Sequence, residues 1–318
     1  MIKSVLITGA NAGLGKEAAK QLAAKPDIEK IYLGCRNKEK AKAAQTELAA
    51  STGRNIFEIL LIDVSDLNSV RQAVKRLPES IDALVMNAGG TGGRQYDQLT
   101  SDGVTNIFAV NLLGHALLTE QLIEAGKLKY AALYAGSEAA RGVEEMGMKR
   151  PNLTTSSVDE FAAIANGSLF EGSQFKGNKD ATDHYGSIKY MAAMWMSAMA
   201  RQHPNLRFIT MSPGATVGTD GFNTLPLVKQ LVMKTMMRFM LLLGKVHGIE
   251  TGAKRYVDGL FNSEFRSGGF YASLRGLTGV IGEQGRLFSD IDNRDFKDNA
   301  YQAVQQLISS PNLTLPSK

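Results

Sequence analysis

Short apolar runs alternate along this chain with longer stretches in which apolar residues recur every three or four positions. Runs of that kind suit strands buried on both faces, and the 3.6-residue recurrence suits helices laid over them. Strands are predicted over Ser4 to Thr8, Lys30 to Cys35, Ile56 to Ile62, Ala83 to Asn87, Tyr130 to Ala135, Arg207 to Met211 and Gly269 to Ala272. Helices are predicted between them, over Gly13 to Ala24, Lys38 to Ala50, Asp66 to Leu77, Ser101 to Ala125, Tyr185 to Gln202 and Gly248 to Asn262. Strand followed by helix, repeated, predicts an α/β protein: a doubly wound parallel sheet of about seven strands with helices on both faces. No repeat, low-complexity tract or long linker divides the chain, so residues 1–318 are expected to form a single domain.

Two segments break the alternation. Residues 138–184 read as an insertion rich in Gly, Ser and Asn, with one short helix opened by the Ser157-Val-Asp-Glu160 capping box. Leu225 to Leu243 is rich in Met and Leu, and a substrate lid is expected over residues 220–245. Both follow strands at their carboxyl ends, the edge where open α/β sheets hold ligands. Surface decoration packed on the core is the competing reading of each. Lys234, Thr235 and Arg238 interrupt the second segment, which falls short of the roughly 20 apolar residues that span a bilayer.

Composition narrows the function classes. The chain has 318 residues, 44% hydrophobic and 21% charged, which supports a large core and excludes disorder as its main state. The net charge of +5 is mild and no basic run forms an arm, so nucleic acid is not expected as a partner. Cys35 stands alone, and His115, His184, His203 and His247 lack the spacing of metal ligands, so no metal site is expected. The first residues run directly into a strand, which reads as a cytoplasmic protein without a signal peptide or transmembrane segment.

Candidate chemistry begins at Thr8-Gly-Ala-Asn-Ala-Gly-Leu-Gly15, between the first strand and the first helix. A strand, a glycine turn and a helix start bring backbone N–H groups and the positive helix end up to a pyrophosphate, as in a Rossmann fold. Gly9 permits the turn, Gly13 lets phosphates approach, and Gly15 lets the helix lie close; Asn11, Ala12 and Leu14 complete the loop. At the end of the second strand an acidic residue accepts from the ribose of NAD, whereas a basic one accommodates the 2′-phosphate of NADP. Here Cys35 holds the acidic position and Arg36 follows it, which predicts NADP(H).

Tyr185 and Lys189 are four residues apart, so on a helix both side chains share a face. The lysine charge is expected to lower the pKa of the phenol, leaving Tyr185 to act as acid in reduction and as base in oxidation.

The Thr-Gly-x-x-x-Gly-x-Gly spacing resembles that of the short-chain dehydrogenases/reductases. The resemblance continues through Asp63-Val64, Asn87-Ala88-Gly89, Asn111, Ser137, Tyr185-Gly-Ser-Ile-Lys189 and Pro213-Gly214, covering about residues 4 to 220. Ala10 to Lys16, Gly34 to Asn37, Asn111 to Thr119 and Gly268 to Tyr271 look most like the branch of retinol dehydrogenases and protochlorophyllide reductases. The resemblance implies that Asp63 and Val64 meet the adenine and that Asn87, Ala88 and Gly89 lie beside the adenosine ribose. It implies that Pro213 and Gly214 face the nicotinamide carboxamide, with Thr219 a candidate for the phosphate or amide. It further implies that Lys189 bonds the nicotinamide ribose, that Ser137 holds the substrate oxygen, and that Asn111 bends its helix and holds a water leading to the lysine. A homodimer or tetramer through the helices of Asn111 and Tyr185 is implied as well.

The function read from these residues is NADP(H)-dependent hydride transfer to or from the carbonyl or alcohol of a hydrophobic small molecule. Light-driven reduction of the protochlorophyllide type ranks second, because Tyr190-Met-Ala-Ala-Met-Trp195 lacks the cysteine that such enzymes carry after the lysine. A non-catalytic NADP-binding sensor or scaffold ranks third, since Ser137, Tyr185 and Lys189 are all retained.

Overall fold

The computed structural model describes residues 1–144, 148–177, 179–217, 241 and 244–309. Eight strands form one sheet in the order β3-β2-β1-β4-β5-β6-β7-β8. They are β1 (Ser4–Thr8), β2 (Lys30–Cys35), β3 (Phe57–Leu61), β4 (Ile81–Met86), β5 (Leu128–Ala135), β6 (Arg207–Met211), β7 (Phe270–Ser273) and β8 (Ile281–Glu283). The first seven pair in parallel and β8 returns antiparallel to β7, an eighth strand too short to stand out in the sequence. The chain runs outward from β1 to β3 and then crosses back to β4 beside β1, which makes the β1/β4 boundary the switch point where such sheets open a ligand crevice.

Strand side chains alternate between two cores. Leu6, Leu84 and Met86 join one core with the helices α3 (Leu67–Arg76), α5 (Gly114–Glu124), α6 (Val158–Asn166) and α8 (Ala181–Gln202). Val5, Ile7, Ala83 and Val85 join the other with α1 (Gly13–Ala23), α2 (Lys38–Thr52) and α9 (Ile249–Phe261). A one-turn helix α4 (Asn106–Phe108) precedes α5, and α7 (Ser168–Glu171) follows α6.

Three departures from the sequence expectation have physical reasons. First, α8 begins four residues before Tyr185, because Asp180 caps it by accepting from the backbone N–H groups of Thr182 and Asp183 at 2.9 and 3.3 Å. Second, α10 (Arg294–Ser309) follows the last predicted strand and is not among the predicted helices, yet Asn293 caps it and Ala300, Ala303, Val304 and Leu307 enter the first core. Third, residues 106–124 do not form one regular helix, since Ala109–Leu113 make a π-helical turn around Asn111.

The insertion contributes to the core as well as to the surface. Ser157 opens α6 as expected, while Glu160 reaches back to the N–H groups of Thr154, Thr155 and Ser156, and Phe161, Ile164 and Ala165 enter the first core. Helices α6 and α10 both pack on α8. Nearly every α8 position from Asp183 to Met199 is thereby buried within one chain, on the helix through which subunit pairing was expected. Met191, Met194, Trp195, Met196 and Met199 belong to that core. The expected lid lies almost wholly outside the described residues, as does Thr219.

Candidate active site

The glycine turn leaves β1 and enters α1 with an open cradle. Ala12 stands at the N-cap in extended conformation and offers no side-chain acceptor to the first-turn N–H groups of α1. Gly13 has φ +56°, and a Cβ built there would meet nothing within 4 Å, so the turn presents bare backbone to open space. Gly15 serves the opposite need, since a Cβ there would sit 2.5 Å from Asn87 Nδ2. Uncapped N–H groups at the positive end of an eleven-residue helix, with no side chain over them, fit a pyrophosphate. Leu14 packs on the second core below the loop. Gly9 donates to the Gly34 carbonyl at 2.7 Å, joining the turn to the end of β2.

At that end Cys35 is buried, with the backbone of Ala10 and Asn11 near its sulfur. Burial pushes its thiol up to about 11, so the residue stays neutral. Arg36 is exposed and makes no hydrogen bond or ion pair among the described residues. The helix start beside it is capped by Asn37, which accepts from the Lys40 N–H at 2.9 Å. Asp63 accepts from the Ser65 N–H and hydroxyl at 3.0 and 2.6 Å, while Asp66 is the cap of α3. Val64 is buried beneath α5. Asn87 donates to the Thr8 carbonyl at 2.9 Å, and the Asn87 and Ala88 N–H groups donate to the Thr8 hydroxyl at 2.9 and 3.0 Å.

Asn111 ties the next segment to the centre of the site. Its amide donates to the Gly90 and Ile107 carbonyls, both at 2.8 Å, and its Oδ1 accepts from the Gly90 N–H at 3.1 Å. Gly89 lies directly against that side chain, where a Cβ would come within 2.5 Å of Asn111 Oδ1. The Asn111 main-chain carbonyl, on the π turn, accepts from the Tyr134 hydroxyl at 2.7 Å. Lys189 Nζ donates to Tyr134 Oη at 3.1 Å and to the Ala135 carbonyl at 2.8 Å. The Tyr134 phenol thus bridges the Asn111 carbonyl and the lysine.

Ser137 follows β5 and accepts from the Ala139 N–H at 3.1 Å. Its hydroxyl also stands beside that of Tyr185, whose ring centroid is 5.3 Å from Lys189 Nζ. Burial works against the acidification expected of this phenol. Burial pushes Tyr185 up to about 12, Glu138 acts in the same sense, and the Ser137 hydroxyl opposes both. Burial also pushes the Lys189 ammonium down to about 7. At neutral pH the phenol holds its proton, the state required of a donor.

Glu138 and Arg255, which sequence reasoning passed over, form a buried ion pair at 3.6 Å. Glu138 also accepts from the Ser212 hydroxyl and, at 3.2 Å, from the Ser273 N–H. Ser212 Oγ in turn accepts from the Gly214 N–H at 3.1 Å, and the Pro213 carbonyl sits 2.6 Å from His247 Nε2. One carboxylate therefore links the ends of β5, β6 and β7 to α9. An acidic residue next to the site serine, and an arginine on the apolar face of α9 beside Ala253, Tyr256 and Val257, were the available signals.

Residues 3–131 match the family model for short chain dehydrogenases. The chain is 38% identical over 133 residues to retinol dehydrogenase 11 of Homo sapiens, a match covering 41% of this chain and 40% of that protein. It is 30% identical over 240 residues to the chloroplastic protochlorophyllide reductase of Chlamydomonas reinhardtii, covering 72% of this chain and 59% of that protein. The aligned regions thus span about two fifths and three fifths of these relatives' lengths. Among solved structures, L-sorbose reductase from Gluconobacter frateurii, complexed with NADPH and L-sorbose, has the same fold with a TM-score of 0.60 at 16% identity, covering 84% of this chain and 92% of that one.

Proposed function

This chain belongs to the short-chain dehydrogenase/reductase family of oxidoreductases, and from that membership we propose an NADP(H)-dependent carbonyl reductase or alcohol dehydrogenase acting on hydrophobic small molecules. The observation that carries the proposal is the convergence of Tyr185, Ser137 and Lys189 at the carboxyl edge of the sheet, the edge that also carries the open cradle at Gly13. The dinucleotide, when bound, supplies or accepts the hydride. Backbone N–H groups of the turn from Gly9 to Gly15 would hold its pyrophosphate. Asp63, Val64, Asn87, Ala88 and Gly89 would flank the adenosine, and Pro213 and Gly214 would meet the carboxamide.

The preference for NADP(H) rests on the end of β2, where Cys35 faces inward and the unengaged Arg36 guanidinium can clamp a 2′-phosphate. In reduction, Ser137 orients the substrate carbonyl and Tyr185 donates its phenolic proton to the oxygen; in oxidation Tyr185 takes the proton back. Lys189 supplies the positive charge beside that phenol. A hydrophobic substrate is supported by the Met- and Leu-rich run from Leu225 to Leu243 and by the exposed apolar side chains of Leu274 and Val280 after β7.

NADPH oxidation with carbonyl substrates of graded hydrophobicity tests the reading. Turnover should rise in kcat/KM with substrate hydrophobicity and be lost in Tyr185→Phe. A protein that binds no dinucleotide, or whose Tyr185→Phe variant keeps full turnover, overturns it.

A further inference from the structure

Tyr134 is the second phenol at the site and is fully buried on β5. Its single proton goes to the Asn111 carbonyl at 2.7 Å, so its oxygen faces Lys189 as an acceptor at 3.1 Å. Lys189 Nζ also lies 4.5 Å from the centroid of the same ring, which adds a cation–π attraction.

The Asn111 carbonyl is itself fixed from the other side. His115 Nδ1 lies 3.3 Å from it, and His115 Nε2 lies 2.9 Å from the Thr8 hydroxyl. Thr8 Oγ1 accepts from the Asn87 and Ala88 N–H groups, and its own proton has His115 Nε2 at 2.9 Å, nearer than the Val85 carbonyl at 3.4 Å, which assigns the remaining imidazole proton to Nδ1. The donated hydrogens then converge on the Asn111 carbonyl from two sides, from the β4 end through Thr8 and His115, and from Lys189 through Tyr134. An ammonium has three donors. Tyr134 and Ala135 take two of them, leaving the third free for the cleft.

We propose that Tyr134 is a positioning residue for Lys189: its hydroxyl is the built-in acceptor that holds the ammonium and anchors it to the π turn at Asn111. The titratable groups around this pair are Tyr185 on α8, His115 on α5, Tyr256 on α9 and Glu138 after β5. Burial holds His115 neutral, so it adds no competing charge. Removing the Tyr134 hydroxyl takes an acceptor from the charged form of Lys189 and therefore lowers the pH at which that lysine loses its proton.

The test is an NMR titration of the full chain carrying 13Cε-labelled lysine, with the Lys189 signal identified by its loss in Lys189→Met. In Tyr134→Phe the Lys189 midpoint should fall by about one pH unit, the size of one lost hydrogen bond to a charged group. An unchanged or raised midpoint overturns the proposal, whatever happens to the melting temperature. Should that variant not fold, wild-type protein with 13Cζ-labelled tyrosine decides: one signal, absent in a Tyr134→Trp or other folded Tyr134 variant, must move with the Lys189 midpoint, and no such signal overturns the proposal. A kinetic consequence rests on the oxidoreductase reading: the alkaline limb of kcat/KM for carbonyl reduction should move to lower pH by the same amount. Failure of turnover alone would sink that reading and leave the lysine titration standing.

Discussion

Replacing Arg255 with Met leaves the Glu138 carboxylate charged and buried without its countercharge. Two unit charges 3.6 Å apart attract by about 5 kcal/mol at an effective dielectric of about 20. Desolvation offsets much of this in the intact pair, but removing one partner exposes the other's burial cost, so the variant should lose about 3–5 kcal/mol of stability. Glu138 keeps its bonds from Ser212 and Ser273, which favours the lower end of that range. Glu138→Gln combined with Arg255→Met removes both charges and should be less destabilised than the two single variants sum to, by about 2–3 kcal/mol. Equilibrium unfolding in urea of the four proteins measures this coupling. A coupling below about 0.5 kcal/mol would refute the claim that the pair acts as a unit. The same Glu138→Gln variant carries a second readout. Because Glu138 holds the Tyr185 pKa up, its neutralisation should lower the pH at which the phenol ionises, visible as a shift of the alkaline rise in tyrosinate absorbance.

Other expectations follow from single side chains. Arg36→Ala should raise the KM for NADPH by about 10- to 100-fold, as for loss of charge-assisted bonds to a phosphate, with that for NADH little changed; equal effects would remove the case for the 2′-phosphate. Tyr185→Phe should lower kcat by about 10²- to 10⁴-fold while leaving NADPH binding, read by fluorescence titration, nearly intact. His115 is held down to about 3 and His184 to about 4, both by burial, below the ordinary value of 6.5. Both therefore contribute stability that is complete above about pH 6.5 and declines as the pH falls, toward about 4 for His184 and about 3 for His115. The melting temperature should drop over that window, and His115→Gln should flatten the drop; an identical slope in the variant would count against His115 as a cause.

Local pattern carried much of the fold and the outline of the site. The glycine turn, Ser137, Tyr185 and Lys189 lie where strand and helix patterning placed them, because each sits at the end or on the face of an element with a strong period. Tyr134, Glu138 and Arg255 were not legible, since nothing in a sequence window tells a buried polar side chain from an exposed one. Tyr134 looked like an ordinary strand aromatic, and its role depends on a carbonyl 23 residues away on a π turn. The surroundings of the phenol were hidden for the same reason: the spacing of Tyr185 and Lys189 was visible, but the burial that raises the Tyr185 pKa was not. Helix α10 was legible in the recurrence of Phe296, Ala300, Ala303, Val304, Leu307 and Ile308, but it lies beyond the last predicted strand and was not read.

That last helix bears on how the protein is made. Helix α8 carries Tyr185 and Lys189 and shares its core with Ala300, Ala303, Val304 and Leu307 of α10. Until those residues leave the ribosome, Trp195 and the neighbouring methionines lack part of their cover, although every group proposed for chemistry has already been synthesised. Cover of the α8 core is therefore completed by a segment that carries none of the groups proposed for chemistry. Nascent chains arrested before Arg294 should be the form most dependent on chaperones.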